Sequence, residues 1–176
     1  TGTTSFTPTD DSTYEGDETA IVAISGVSGG SASESGTQTV TLTIDENEDG
    51  PTVTLASSAS SIAENAVSSL TLTATLSVAA SGNVTVNLST SGTGTEGTDY
   101  GTISDITISA GSTTGTVSFT PTDDNIYEGN ETAIVAISSV TGLATESGTQ
   151  TTTITITDNE SAPTVTLSSS ESSITE

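Results

Sequence analysis

Apolar residues recur at every second position through most of the chain, as in "PTVTLAS", "SLTLTATLS" and "TTTITIT". A period of two is the signature of half-buried β-strands, and no segment shows the 3.6-residue period of a helix. Between residues 51 and 162 the pattern predicts seven strands, at 52–56, 69–77, 83–90, 105–109, 114–120, 132–138 and 149–157. Their inward positions are Val53, Leu55, Leu70, Leu72, Leu76, Val84, Val86, Leu88, Ile106, Ile108, Val117, Phe119, Val135, Ile137, Ile154 and Ile156. The alternating Thr and Ser face water, where Thr keeps its strand propensity without adding an apolar patch. Gly and Ser fill the connections. Seven short antiparallel strands in about 110 residues make an all-β, immunoglobulin-like antiparallel sandwich.

The pattern also repeats at long range. "SFTPTDDSTYEGDETAIVAIS" at 5–25 returns as "SFTPTDDNIYEGNETAIVAIS" at 118–138, an offset of 113, and after a one-residue deletion the offset becomes 112. "SGTQTVTLTI" at 35–44 then matches "SGTQTTTITI" at 147–156, and 51–64 matches 163–176. A unit of this length is one sandwich domain. The expected organisation is the C-terminal half of a preceding repeat (1–50), one complete repeat (51–162) and the first strand of a following repeat (163–176), a window on a tandem array.

Composition narrows the chemistry. The 176 residues include 23 Asp and Glu but no Lys, Arg, His, Cys, Met or Trp, for a formal charge of −23. Charged residues are only 13% of the chain, against roughly 25% in ordinary domains, so the acidity comes from missing bases. Without Lys or Arg there is nothing to displace phosphate counterions or grip an anionic membrane, which excludes nucleic-acid binding and basic-patch attachment. No apolar run has the length of a membrane-spanning helix. Thiolate and imidazole chemistry are absent, which disfavours zinc and copper. Catalysis would have to rest on paired carboxylates in an aromatic-walled cleft, and aromatics are 3% of the chain, so no enzyme activity is expected.

The carboxylates are unevenly placed. In an antiparallel order, Glu64, Glu96, Asp99, Asp105, Asp123, Asp124, Glu128, Glu131, Asp158 and Glu160 fall at one pole of the 51–162 unit, and only Glu146 falls at the other. Crowded carboxylates without basic partners repel one another, and a hard cation relieves that repulsion. Calcium accepts six to eight oxygen ligands in loose geometry, whereas magnesium demands a tighter octahedron, so the chemistry favours calcium. The bland alternative is a set of solvated turns, since Asp and Asn are good turn formers. Tyr100 and Tyr127 read as packing or loop-anchoring residues. The sequons at Asn83, Asn87, Asn130 and Asn159 are short motifs that arise easily in Ser/Thr-rich sequence.

The segments "GTEGTDY" (94–100), "ITISAGSTTGTVSFTPTDDNIYEGNETAIVAIS" (106–138) and "TITITDNE" (153–160) together resemble the Calx-β domain, a module of sodium–calcium exchangers, integrin β4 and large bacterial surface proteins. The resemblance implies calcium ligands at Glu64, Asp99, Asp123, Asp124, Glu128, Glu131, Asp158 and Glu160. In the preceding unit it implies Asp10, Asp11, Glu15 and Glu18, with Glu46 and Glu48 in place of Asp158 and Glu160. The combined expectation is a Ca2+-dependent extracellular spacer on a bacterial or archaeal surface, a stalk, adhesin or filament whose ions rigidify the junctions. Its expected partners are neighbouring repeats of the same chain and other copies in a filament. The alternatives are a metal-independent spacer and a ligand-binding adhesin module.

Overall fold

The computed structural model describes all 176 residues and is entirely β, with eleven strands. β1 (Glu18–Ala23) and β2 (Thr39–Ile44) form a separate antiparallel pair. The remaining nine build two sheets. They are β3 (Thr52–Ser57), β4 (Ser61–Ala63), β5 (Leu70–Leu76), β6 (Val84–Gly92), β7 (Ile106–Ile108), β8 (Thr114–Phe119), β9 (Glu131–Thr141), β10 (Thr145–Glu146) and β11 (Thr151–Thr157). One sheet has the order β10-β3-β5-β8 and the other β4-β11-β9-β6-β7.

The seven expected strands are all present. Two short ones add to them: β4, paired parallel to β11, and β10, paired parallel to β3. β4 contains a single inward apolar residue, Ile62, too few for a period to show. β9 runs three residues past its expected end because Ser138 is accommodated as a bulge opposite Asn87 and Leu88. The Leu88 amide is taken up by Asp105 Oδ1 at 2.9 Å, which gives that acid a structural partner.

Thirteen of the sixteen expected inward residues are buried, and Leu70, Leu88 and Val117 are partly buried against them. Ile62, Ala74, Ala80, Tyr100 and Ala133 complete the core. Tyr100 is fully buried and stacks on Phe119, with ring centroids 5.0 Å apart, as the packing role requires. Tyr127, read alongside it as a packing or loop-anchoring residue, is 46% exposed and lies outside the core. The apolar residues of 163–176 lie in the open: Val165, Leu167 and Ile174 are exposed, while their sequence counterparts Val53, Leu55 and Ile62 are buried.

The strand directions carry the loops 58–69, 93–105 and 120–130 and the segment after β11 to one end of the sandwich. Glu146 lies at the other end, where its Oε1 accepts the Gln150 amide at 2.6 Å.

Candidate metal centre

Two strands deliver the first cluster. β4 and β11 are parallel neighbours with Ala63 beside Thr157, and the Glu64 amide continues the ladder to the Thr157 carbonyl at 2.9 Å. Glu64 and Asp158 therefore leave their strands side by side. Carboxylate oxygens of Glu64, Asp158 and Glu160 converge to within 4.8 Å of one another, with Glu64 buried.

The second cluster comes from a turn and a strand start. Tyr100, held in the core, forms an antiparallel bridge with Pro121, and the Asp99 carbonyl accepts the Thr122 amide at 2.9 Å. These contacts fasten the 94–100 turn to the loop between β8 and β9. Asp99, Glu128 and Glu131 then bring their oxygens within the same 4.8 Å limit. Glu131 sits opposite Ile156 in the β9–β11 ladder, two residues before Asp158, so the clusters are neighbours.

The 121–130 loop links them through its backbone. Asp124 N donates to Glu64 Oε1 at 3.1 Å, and Glu128 N donates to Asp158 Oδ2 at 2.7 Å, with Gly129 N bonding the same oxygen. Gly129 adopts a φ of 78°, a left-handed conformation that glycine takes without strain and that turns its amide to this oxygen. Asn130 Oδ1 accepts the Asp158 amide at 3.2 Å.

The electrostatics follow from this crowding. Burial, reinforced by Asp124, Asp158 and Asp123, pushes the Glu64 carboxyl above the ordinary range, although it accepts the Asp124 amide. Glu128 and Glu131 are raised by desolvation and then by the Asp99 charge. Glu160 is raised by desolvation, by the adjoining Asp158 carboxyl and by the Glu64 charge. Desolvation opposes ionisation of Asp158 too, but the amides of Glu160, Gly129 and Glu128 outweigh it and hold its carboxyl low.

Asp123 and Asp124 belong to neither converging group. Asp124 spends Oδ1 on the Ile126 amide at 2.6 Å, and Asp123 is exposed; both act on the clusters through their charge. Glu96 also has a structural partner set, accepting the Thr90 hydroxyl at 2.6 Å and the Ile103 amide at 3.0 Å.

The first fifty residues repeat the same bonding. Glu46 Oε2 accepts the amides of Glu15 and Gly16, the latter at 2.7 Å, and Asp17 Oδ1 accepts the Glu46 amide at 3.0 Å. The Glu15 amide, with further help from Glu48, lowers the Glu46 carboxyl to about 2. Asp10, Asp11, Glu15, Glu18, Glu46 and Glu48 line one acidic pocket together with Asp45, and neither convergent group draws on these residues. Asp17, Asn130 and Asp45 were absent from the expected set. The signal for the first two was an Asp or Asn directly after the loop glycine in both copies.

The donors suit a hard cation. Every ligand atom on offer is a carboxylate oxygen, no Lys, Arg or His is available to pair with them, and buried Glu160 Oε2 has no hydrogen-bond partner. A buried polar atom left without a partner is rare and costly, and an oxygen-seeking divalent ion would satisfy it.

The profile of the Calx-beta domain family matches residues 45–160, a span that contains both acidic clusters and every strand of the two large sheets. The chain belongs to the Calx-beta domain family. It is similar in fold to the apo-form Calx CBD1 domain, at 17% identity and a TM-score of 0.51, covering 61% of this chain and 98% of that one. CBD12 from CALX1.2 matches at 18% identity and a TM-score of 0.49, covering 56% of this chain and 41% of that chain. The Calx CBD2 domain matches at 17% identity and a TM-score of 0.47, covering 60% of this chain and 86% of that one. No curated protein sequence matches the chain. Calx-beta domains are calcium-binding β domains, and the acidic clusters here could hold a metal ion. No helix is long and apolar enough to cross a membrane.

Proposed function

We propose that this chain is a calcium-binding structural segment of a long extracellular stalk, adhesin or surface filament, in which ions rigidify the junctions between successive sandwiches. The observation that carries the reading is the convergence of Glu64, Asp158 and Glu160 beside Asp99, Glu128 and Glu131 in a chain with no basic side chain. Those six residues would hold the ions, with Asp123 and Asp124 contributing field at the rim. A bound calcium ion supplies positive charge and accepts several oxygens at once. The chain's own residues do the rest. Asp158 binds the loop amides and also starts the segment leading to Pro163, so ordering this carboxylate orders the exit from the sandwich. Glu64 ties the same loop from the β4 side.

The spacer role is supported by the near-identity of 5–25 and 118–138. Small-angle X-ray scattering of the 176-residue chain with calcium, with magnesium and with chelator tests the junction effect. Calcium should narrow the distribution of shapes and chelation should broaden it. Identical curves in calcium and chelator would overturn the stiffening role.

A further inference from the structure

Tyr14 lies in the loop that precedes β1, and it reaches across to the opposite pole of the 51–157 sandwich. Its amide donates to the Ala79 carbonyl and its carbonyl accepts the Ser81 amide, both at 3.0 Å, which adds a one-residue parallel bridge at Ala80. Ala80 is buried. The Tyr14 ring borders a groove whose other walls include Pro51, Leu143 and Ala144. Gly50 passes against the ring, where an added Cβ would stand 3.6 Å from the ring Cζ.

Tyr127 is the same residue one copy later, in "NIYEGNE" where Tyr14 has "STYEGDE". The two loops share their anchors: Gly16 and Gly129 have φ of 76° and 78°, and each following Asp or Asn caps the segment after the last strand. Yet Tyr127 is 46% exposed, neighbouring Ile126 is 62% exposed, and the Tyr127 backbone bonds to nothing.

We propose that Tyr127 is a docking residue for a second sandwich that begins at Pro163, held by that sandwich's turn equivalent to Ala79–Ser81. Two observations identify this occupant. Residues 163–176 differ from 51–64 only at Ser168, Glu171 and Thr175, and their apolar residues Val165, Leu167 and Ile174 are exposed. The joint also fits sterically. Where the first joint has Gly50, the second has Ala162, and the 3.6 Å gap to the ring is ordinary van der Waals contact for a methyl group. The clamp is a backbone bridge plus an apolar ring, so it needs no metal, although it rides on the loop whose other side carries the acidic cluster.

The test compares the 176-residue chain with one extended after Glu176 by a copy of residues 65–162, which completes the second sandwich. Tyrosine nitration is mapped by mass spectrometry, in chelator and in calcium. In the present chain Tyr127 should react faster than Tyr14 and far faster than buried Tyr100. In the extended chain its rate should fall to that of Tyr14, in both conditions. Tyr127→Ala in the extended chain should broaden the scattering distance distribution and leave both melting transitions in place. Unchanged Tyr127 reactivity in an extended chain whose second sandwich is folded by NMR would overturn the proposal. So would an unaltered distance distribution in the variant.

Discussion

The Glu128 amide donates to Asp158 Oδ2 at 2.7 Å, so the acidic loop between β8 and β9 is held by the segment that leaves the sandwich. Glu46 holds Gly16 in the same way at 2.7 Å in the first fifty residues. Loop and exit are one structure before any ion is considered.

Asp158 and Glu160 should therefore respond differently to mutation. Asp158→Ala removes an acceptor of three amides, from Glu128, Gly129 and Glu160, and should lower the melting temperature in both chelator and calcium. Glu160→Gln removes a charge that Asp158 and Glu64 oppose, and should raise the melting temperature in chelator while weakening the calcium-induced increase. Thermal melts of both variants in the two conditions check the pair.

The pH dependence should change sign with calcium. Glu64, Glu128, Glu131 and Glu160 have folded pKa values above their ordinary 4.5, so the folded chain keeps protons that the unfolded chain releases. Their contribution to stability falls as pH rises through that window. Asp158 acts in the opposite direction: its contribution is present above the ordinary 3.8 and is lost as pH falls through its lowered folded value. In chelator the melting temperature should rise as the pH falls through that window toward the ordinary 4.5. In calcium it should fall over the same range, because protons compete for the ligands.

The core prediction concerns Phe119. It is fully buried and stacked on Tyr100, in a sandwich with few other large side chains. Phe119→Ala should cost about 3–5 kcal/mol in denaturant titration, enough to unfold most single domains near their margin. Loss of calcium binding should accompany it, since Tyr100 positions the Asp99 turn.

Gly92 offers a test of site geometry without touching a carboxylate. Its φ is 124°, and an added Cβ would stand 2.1 Å from the Thr132 carbonyl oxygen. Gly92→Ala must push β6 from β9 next to Glu131 and should lower both thermal stability and calcium affinity. Titration of the purified variant against calcium reads the second effect.

Much of this was legible in the alternation of Val, Ile and Leu with Thr, because a sheet with one wet face writes its register into the sequence. Strand direction then placed the carboxylates at one end. The pieces that escaped lack a periodic signature. β4 has only Ile62 to mark it, and its pairing with β11 is what sets Glu64 beside Asp158. Asp124 and Asp158 look alike in sequence, yet one is occupied with its own turn and the other gathers amides from a distant loop. Tyr14 and Tyr127 share one motif, yet only Tyr14 bonds across to Ala79 and Ser81, a difference that the motif itself does not record.

The central claim is that the Glu64–Asp158–Glu160 and Asp99–Glu128–Glu131 clusters bind calcium. Isothermal titration of the metal-free 176-residue chain with calcium chloride measures it most directly. Saturable binding is expected at dissociation constants of about 1 mM or tighter, as in extracellular calcium modules, and Glu64→Gln should weaken it. A titration with no saturable heat up to several times that concentration, on a chain folded by NMR, would contradict the account.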